Sequence, residues 1–291
     1  MAGFAIAPPR MNTEQIESVE EQTYRLHRRF DRMGRLVGDR AMERLFQSHV
    51  LVIGLGGVGS WAAEALARSG VGRLTLVDFD EICITNANRQ LHALAGLVGQ
   101  KKAHVMAERC QRINPQARVE GIPEFYNART SDALLSSNPD VIIDAIDNLT
   151  AKCHLIDRCI REGRTLVTST GSGGRLDPTQ VRVMDLGETE IDPLARSVRR
   201  ILRQEYGYPE TRRFGVRAVC TSEPARDPLE LHYDGGKGFR CVCPQGQNDL
   251  HSCDQRSMIF GNAGFVTGAF GLACAAEAVR TLTLESAPTS Q

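Results

Sequence analysis

The stretch His49-Val-Leu-Val-Ile-Gly-Leu-Gly-Gly-Val-Gly-Ser60 runs from an apolar strand candidate into a turn with Gly54, Gly56 and Gly59 in the spacing G-x-G-x-x-G. Such glycines permit a tight strand-to-helix turn, let backbone approach a phosphate, and aim the amides and positive dipole of the next helix at the anion. Asp78 ends the next strand candidate, Arg73-Leu-Thr-Leu-Val-Asp78, where a carboxylate accepts hydrogen bonds from ribose hydroxyls. Together they predict a nucleotide site, with a ligand-free tight turn as the bland alternative.

Working outward, strands at 49–54, 73–78, 118–122, 140–146 and 164–169 alternate with helices at 59–69, 99–113, 130–136 and 149–162. Near-continuous aliphatic strands separated by helices imply a mainly parallel sheet covered on both faces, an α/β doubly wound, Rossmann-like fold. Beyond Gly171-Ser-Gly-Gly174 the rhythm shifts to strands at 181–185 and 215–221 around a helix that Asp192 caps with Pro193 in its first turn. They read as an antiparallel C-terminal extension of the sheet. Residues 1–27 read as a flexible N-terminal arm, 28–284 as one domain, 224–256 as a long loop within it and 285–291 as a tail. Asn12 offers a helix cap, and the charged stretch to Arg35 reads as a surface helix or arm. The apolar segment from Met258 to Leu284 carries glycines along one helical face and reads as a helix packed on the sheet, with membrane attachment as the alternative.

Thirty-five basic and 35 acidic residues give a formal net charge of zero, so a nucleic-acid partner must be argued from local patches. Nine cysteines, an odd number without even spacing, do not make a disulfide framework and point to a reducing cytoplasm. No export signal is expected from the N-terminus, which turns acidic at once.

The glycine loop alone does not separate a dinucleotide dehydrogenase from an enzyme that binds ATP. Asn86-Ala-Asn-Arg89, Lys102 and Asp147 favour ATP: they supply polar donors, two cations that neutralise phosphoryl charge, and a carboxylate able to meet Mg²⁺. Taken singly, Arg89 and Lys102 also read as solvated charges, and Asp147 as the N-cap of the following helix.

This set resembles the E1-like adenylyltransferase superfamily, which includes the ubiquitin-activating enzymes and the activators of molybdopterin and thiamin sulfur carriers. The family pattern appears as Gly54-Leu-Gly56-Gly57-Val-Gly59, Asp78-Phe-Asp80, Asn86-Ala-Asn-Arg89-Gln90, Lys102 and Asp147-Asn148. The resemblance implies that Asp78 holds the ribose, Asn86 and Arg89 contact the phosphates, Lys102 steadies the α-phosphate and Asp147 binds Mg²⁺. It further implies a homodimer in which Arg32 reaches the neighbouring subunit's site. Within the superfamily the chain is most similar to the tRNA threonylcarbamoyladenosine dehydratases, through residues 56–68, 88–94, 141–147 and 177–180. That likeness implies ATP-dependent dehydration of the threonylcarbamoyl group on A37 of tRNAs that read ANN codons. An activator of a ubiquitin-like sulfur carrier is the competing reading, weakened because the chain has no C-x-x-C and a Cys₄ zinc site is not expected.

Arg196, Arg199, Arg200 and Arg203 fall on one face of the helix after Asp192, opposite Leu194, Val198, Ile201 and Leu202, and are candidate tRNA contacts. Cys220, Cys241, Cys243 and Cys253 are candidates for redox or sulfur-accepting roles, the latter linked by resemblance to cysteine desulfurase systems. Inert thiols are the plain reading. The glycine loop 170–174 reads as an acceptor-pocket lining, as carbonyl ligands of a monovalent cation (K⁺ or Na⁺), or as a simple turn.

Overall fold

The computed structural model describes residues 27–210, 213–231 and 260–284. The proposed cap at Asn12, Cys241, Cys243, Cys253, most of the expected long loop and the tail lie outside the described residues.

Strand β1 (His49–Ile53) is buried along its whole length, as a run of aliphatic residues without polar alternation requires of a strand covered on both faces. It lies between β2 (Arg73–Val77) and β4 (Val141–Asp144), with Val50 beside Leu74 on one side and Val141 on the other. Adding β3 (Arg118–Ile122), β5 (Leu166–Ser169), β6 (Val181–Asp185) and β7 (Arg217–Thr221) gives a seven-stranded sheet of order β3-β2-β1-β4-β5-β7-β6. β7 joins β5 in parallel, and β6 closes the edge antiparallel to β7.

The pleat divides the interior in two. Val50, Val52, Leu74 and Leu76 face a core shared with α2 (Asp39–Gln47), α3 (Gly59–Ser69), α4 (Lys102–Ile113) and α8 (Gly264–Thr283). Leu51, Ile53, Val77 and Ile142 face a second core shared with α5 (Ser131–Leu135), α6 (Leu149–Glu162) and α7 (Pro193–Gln204). Both faces are therefore covered, the arrangement that a parallel sheet requires.

Two segments differ from expectation. The charged stretch before β1 forms two helices, α1 (Asp31–Val37) and α2, where only a surface helix or arm to Arg35 is foreseen. Met42 and Leu45 anchor α2 in the core at 0% exposure, contributing roughly 1.5–3 kcal/mol each. The C-terminal helix begins at Gly264 rather than 258. It is long and apolar enough to cross a membrane, yet 56% of its apolar window is buried inside the fold. A Cβ on Gly271 would lie 2.3 Å from the Val58 carbonyl oxygen, so only glycine admits this approach of α8 to α3.

Candidate active site

The sheet order reverses direction between β1 and β4, and the crevice beyond their carboxyl ends is where open α/β sheets bind ligands. The glycine loop leaves β1 at this point. Gly54 takes φ +89°, and a Cβ there would meet the Ala145 carbonyl oxygen at 2.7 Å. A Cβ on Gly59 would sit 1.7 Å from the Gly54 carbonyl oxygen, so loop and helix close on each other only without a side chain. Gly56 and Gly57 lie between them, Gly57 against Thr267 of α8 and the Arg89 side chain. The first turn of α3 thus presents its amides toward the crevice.

Asp78 follows β2 and is 8% exposed. Its carboxylate accepts from Leu55 N–H at 2.6 Å and Asp80 N–H at 2.9 Å, so it braces the glycine loop and still has acceptor capacity for a ribose hydroxyl. Burial raises its pKa, against the pull of the Lys102 charge. Lys102 opens α4 at 5% exposure and donates to Asp80 Oδ2 at 2.7 Å. Burial would lower its pKa, but the charges of Asp78, Asp80 and Asp147 reverse this and hold it above its ordinary value. The ammonium is therefore fully charged near neutrality.

Asn86 is buried, with Oδ1 accepting from Cys83 N–H at 3.1 Å, which leaves its amide nitrogen as the group able to turn to a phosphate. Arg89 is half-buried, and its Nη1 donates to the Thr85 carbonyl and Asn88 Oδ1, both at 3.0 Å. Trp61, which the sequence reading did not single out, donates from Nε1 to the Arg89 carbonyl at 3.1 Å and ties this segment to α3.

Asp147 lies exposed three residues past β4, and its field reaches Lys102. The cap reading fails for it: Asn148 is the N-cap of α6, accepting from Ala151 N–H at 3.0 Å. Beneath Asp147 sits an ion pair the sequence reading missed. Lys152 Nζ donates to Asp144 Oδ2 at 2.6 Å with side-chain exposures of 2% and 0%, and to Thr168 Oγ1 at 3.1 Å. Asp144 Oδ1 accepts from Ile146 N–H at 3.0 Å, which shapes the turn leading to Asp147.

Arg32 is not brought to this crevice within one chain. It is exposed on α1, whose preceding residue Phe30 stacks edge-on to Phe46 at 5.2 Å and lies beside Gly70, at the far end of α3. Eleven helical residues separate the two ends of α3 by about 16 Å.

The basic face of α7 is less uniform than its spacing implies. Arg196 and Arg200 are exposed, whereas Arg199 donates to Thr189 Oγ1 and the Arg203 guanidinium lies 5.9 Å from the centre of the Phe214 ring. Cys83, Cys110, Cys153, Cys159, Cys220 and Cys274 are buried, and none of these six is in a disulfide. Burial pushes Cys220 up to about 11, which suits packing and not nucleophilic attack.

A glycine loop at the switch point, a ribose-competent carboxylate, and a buried lysine ringed by three carboxylates define a Rossmann-like nucleotide-binding protein of the E1-like type. The chain belongs to the ThiF family, whose family model matches residues 30–291. It is 40% identical over 261 residues to the tRNA threonylcarbamoyladenosine dehydratase of Escherichia coli, covering 89% of this chain and 95% of that one. The Haemophilus influenzae tRNA threonylcarbamoyladenosine dehydratase is 46% identical over 198 residues, 67% of this chain and 76% of its own. The crystal structure of the E. coli dehydratase TcdA in complex with ATP superposes with a TM-score of 0.74 at 38% identity, over 87% of this chain and 93% of that one.

Proposed function

We propose that this chain is an ATP-dependent tRNA threonylcarbamoyladenosine dehydratase acting on A37. What supports the reading is the Arg89 side chain against Gly57 and the buried Lys102 within the fields of Asp78, Asp80 and Asp147, in a chain similar along nearly its whole length to a named dehydratase. In the reaction the threonyl carboxylate attacks the α-phosphate of ATP, giving an acyl adenylate and pyrophosphate. The carbamoyl oxygen of the same group then attacks the activated carbonyl and closes a ring, releasing AMP. One carboxylate oxygen departs on AMP and the urea proton goes to solvent, so the nucleoside loses the elements of one water.

This chemistry asks the protein for position and charge, not for a nucleophile. The α3 amides and Arg89 hold phosphate oxygens, Asp78 orients the ribose, and Lys102 offsets the charge that develops at the α-phosphate. Lys102 suits this because Asp80 holds it by a hydrogen bond and the neighbouring carboxylates keep it charged. Mg²⁺ takes one or two carboxylates together with phosphate oxygens and water, and the exposed Asp147 meets that need. When bound there, the ion neutralises phosphate charge. Arg32 sits too far from its own crevice and serves the site of a second copy in a homodimer. The exposed Arg196 and Arg200 of α7 offer tRNA a cationic edge.

The test is to incubate the protein with ATP, Mg²⁺ and tRNA bearing threonylcarbamoyladenosine, and to weigh the digested nucleosides by mass spectrometry. Loss of one water that requires ATP and vanishes in Lys102→Ala and Asp147→Ala is expected. An unchanged nucleoside, with pyrophosphate exchange appearing only when a small carrier protein is added, refutes the dehydratase and favours a sulfur-carrier activator.

A further inference from the structure

The loop Thr170–Gly174 leaves β5 at the carboxyl edge of the sheet, beside the strand that presents Asp147. Converging backbone carbonyls next to a carboxylate are the donor set of a hard cation, which is why this loop invites a potassium or sodium ion. The residues present do not fit one. The carbonyl oxygens of Gly171 and Gly173 both accept from Arg175 Nη1, at 2.6 and 2.9 Å. The same guanidinium donates from Nη2 to Asp192 Oδ2 at 2.9 Å and from Nε to the Glu223 carbonyl at 3.0 Å. Arg175 and Asp192 are 2% and 1% exposed, so a full positive charge already sits, desolvated and satisfied, on the oxygens an ion would need.

The cluster also joins parts that the reaction uses separately. Asp192 Oδ1 caps α7 through Ala195 N–H at 2.7 Å and accepts from Gly171 N–H at 3.3 Å. Glu223 holds the other flank, accepting from the Leu176 and Asp177 amides at 3.0 and 2.8 Å. One buried side chain therefore fixes the loop at the end of β5, the start of the arginine-bearing helix and the turn after β7. The planar fork suits this task, because a lysine ammonium lacks the spread donors that reach four acceptors on three segments.

We propose that Arg175 is a tethered cation: it takes the place of an exchangeable monovalent ion in the Gly171–Gly173 cradle and positions the acceptor loop relative to α7. Dehydration is then independent of K⁺ and Na⁺. This rests on the dehydratase reading, and its tests are chosen to fail separately from it.

The full chain is assayed with ATP, Mg²⁺ and modified tRNA in potassium, sodium and tetramethylammonium chloride of equal ionic strength. The wild type should keep the same kcat in all three. Arg175→Gln should lose kcat by about tenfold or more while its KM for ATP stays unchanged, and added guanidinium or K⁺ should restore part of the rate by filling the vacated cradle. Arg175→Lys should not restore it. A wild type that needs K⁺ or Na⁺, or an Arg175→Gln variant with wild-type kcat, overturns the proposal. A second readout needs neither the dehydratase reaction nor a folded variant: the thermal unfolding midpoint of the wild type is titrated with K⁺ and Na⁺ against tetramethylammonium. A flat response supports a cradle already filled, and a saturable, ion-selective rise refutes it even where no dehydration is seen.

Discussion

Replacing Lys152 by Met keeps the length and most of the volume of the side chain while removing the full positive charge bonded to Asp144. The carboxylate is completely buried, and Lys152 and Thr168 share its Oδ2 at 2.6 and 2.7 Å. Breaking a buried pair from one side leaves an uncompensated charge and destabilises by about 3–5 kcal/mol. At roughly 2–4 °C per kcal/mol for a domain of this size, the unfolding midpoint should fall by roughly 6–20 °C. Because Asp144 also accepts from Ile146 N–H on the way to Asp147, the ATP-dependent rate should fall with it. Urea and thermal unfolding at neutral pH measure the first effect, and AMP release measures the second. Adding Asp144→Asn to Lys152→Met should recover most of the stability, since the charge that needed a partner is gone. A single variant within about 1 kcal/mol of wild type, or a double variant no better than the single, would falsify this account of the pair.

Gly59→Ala places a methyl group 1.7 Å from the Gly54 carbonyl oxygen, so the loop must open. Equilibrium titration should find ATP binding lost, and binding at wild-type affinity would mean the loop is not the phosphate site. Arg196→Ala and Arg200→Ala should each reduce the slope of log affinity for tRNA against log salt by roughly 0.7–0.9 while ATP affinity holds; an unchanged slope removes α7 from the tRNA interface. Burial, with the charges of Lys102 and Arg109, lowers the His92 pKa to about 3, whereas the unfolded chain takes up that proton near its ordinary 6.5. The stability His92 contributes is present above pH 6.5 and is lost as pH falls toward 3. By pH 5 the loss is at most about 2 kcal/mol, so urea midpoints at pH 7 and 5 should differ less in His92→Gln than in wild type.

The elements that sequence made visible are those whose physics is local. Aliphatic runs without polar alternation marked the buried strands, and the spacing of Gly54, Gly56 and Gly59 marked a turn that only glycine can make. The residue range expected for α6 matches the structure, because its cap, apolar face and terminal Gly163 all lie within one segment. What stayed hidden depends on partners far along the chain. Two apolar residues three positions apart, Met42 and Leu45, do not outweigh the charges around them until α8 arrives to cover them. Nothing in the local sequence marks Lys152 or Arg175, because Asp144, Asp192 and Glu223 approach them only in three dimensions. Helical spacing placed four arginines on one side of α7, but Thr189 and Phe214, which engage Arg199 and Arg203, come from outside the helix.

The packing of α8 on α3 also sets an order in time. Thr267 abuts Gly57, Gly264 leaves no room for a side chain against the Asn88 carbonyl, and Gly271 seats on the turn that begins α3. A ribosome has emitted the glycine loop, Asp78, Lys102 and Asp147 long before it reaches Gly264. A nascent chain stopped short of that residue already carries these polar groups and lacks the wall that holds Trp61 and Arg89 in register. Capacity to capture ATP is therefore acquired late in synthesis, after the α7 arginines proposed to meet tRNA have emerged.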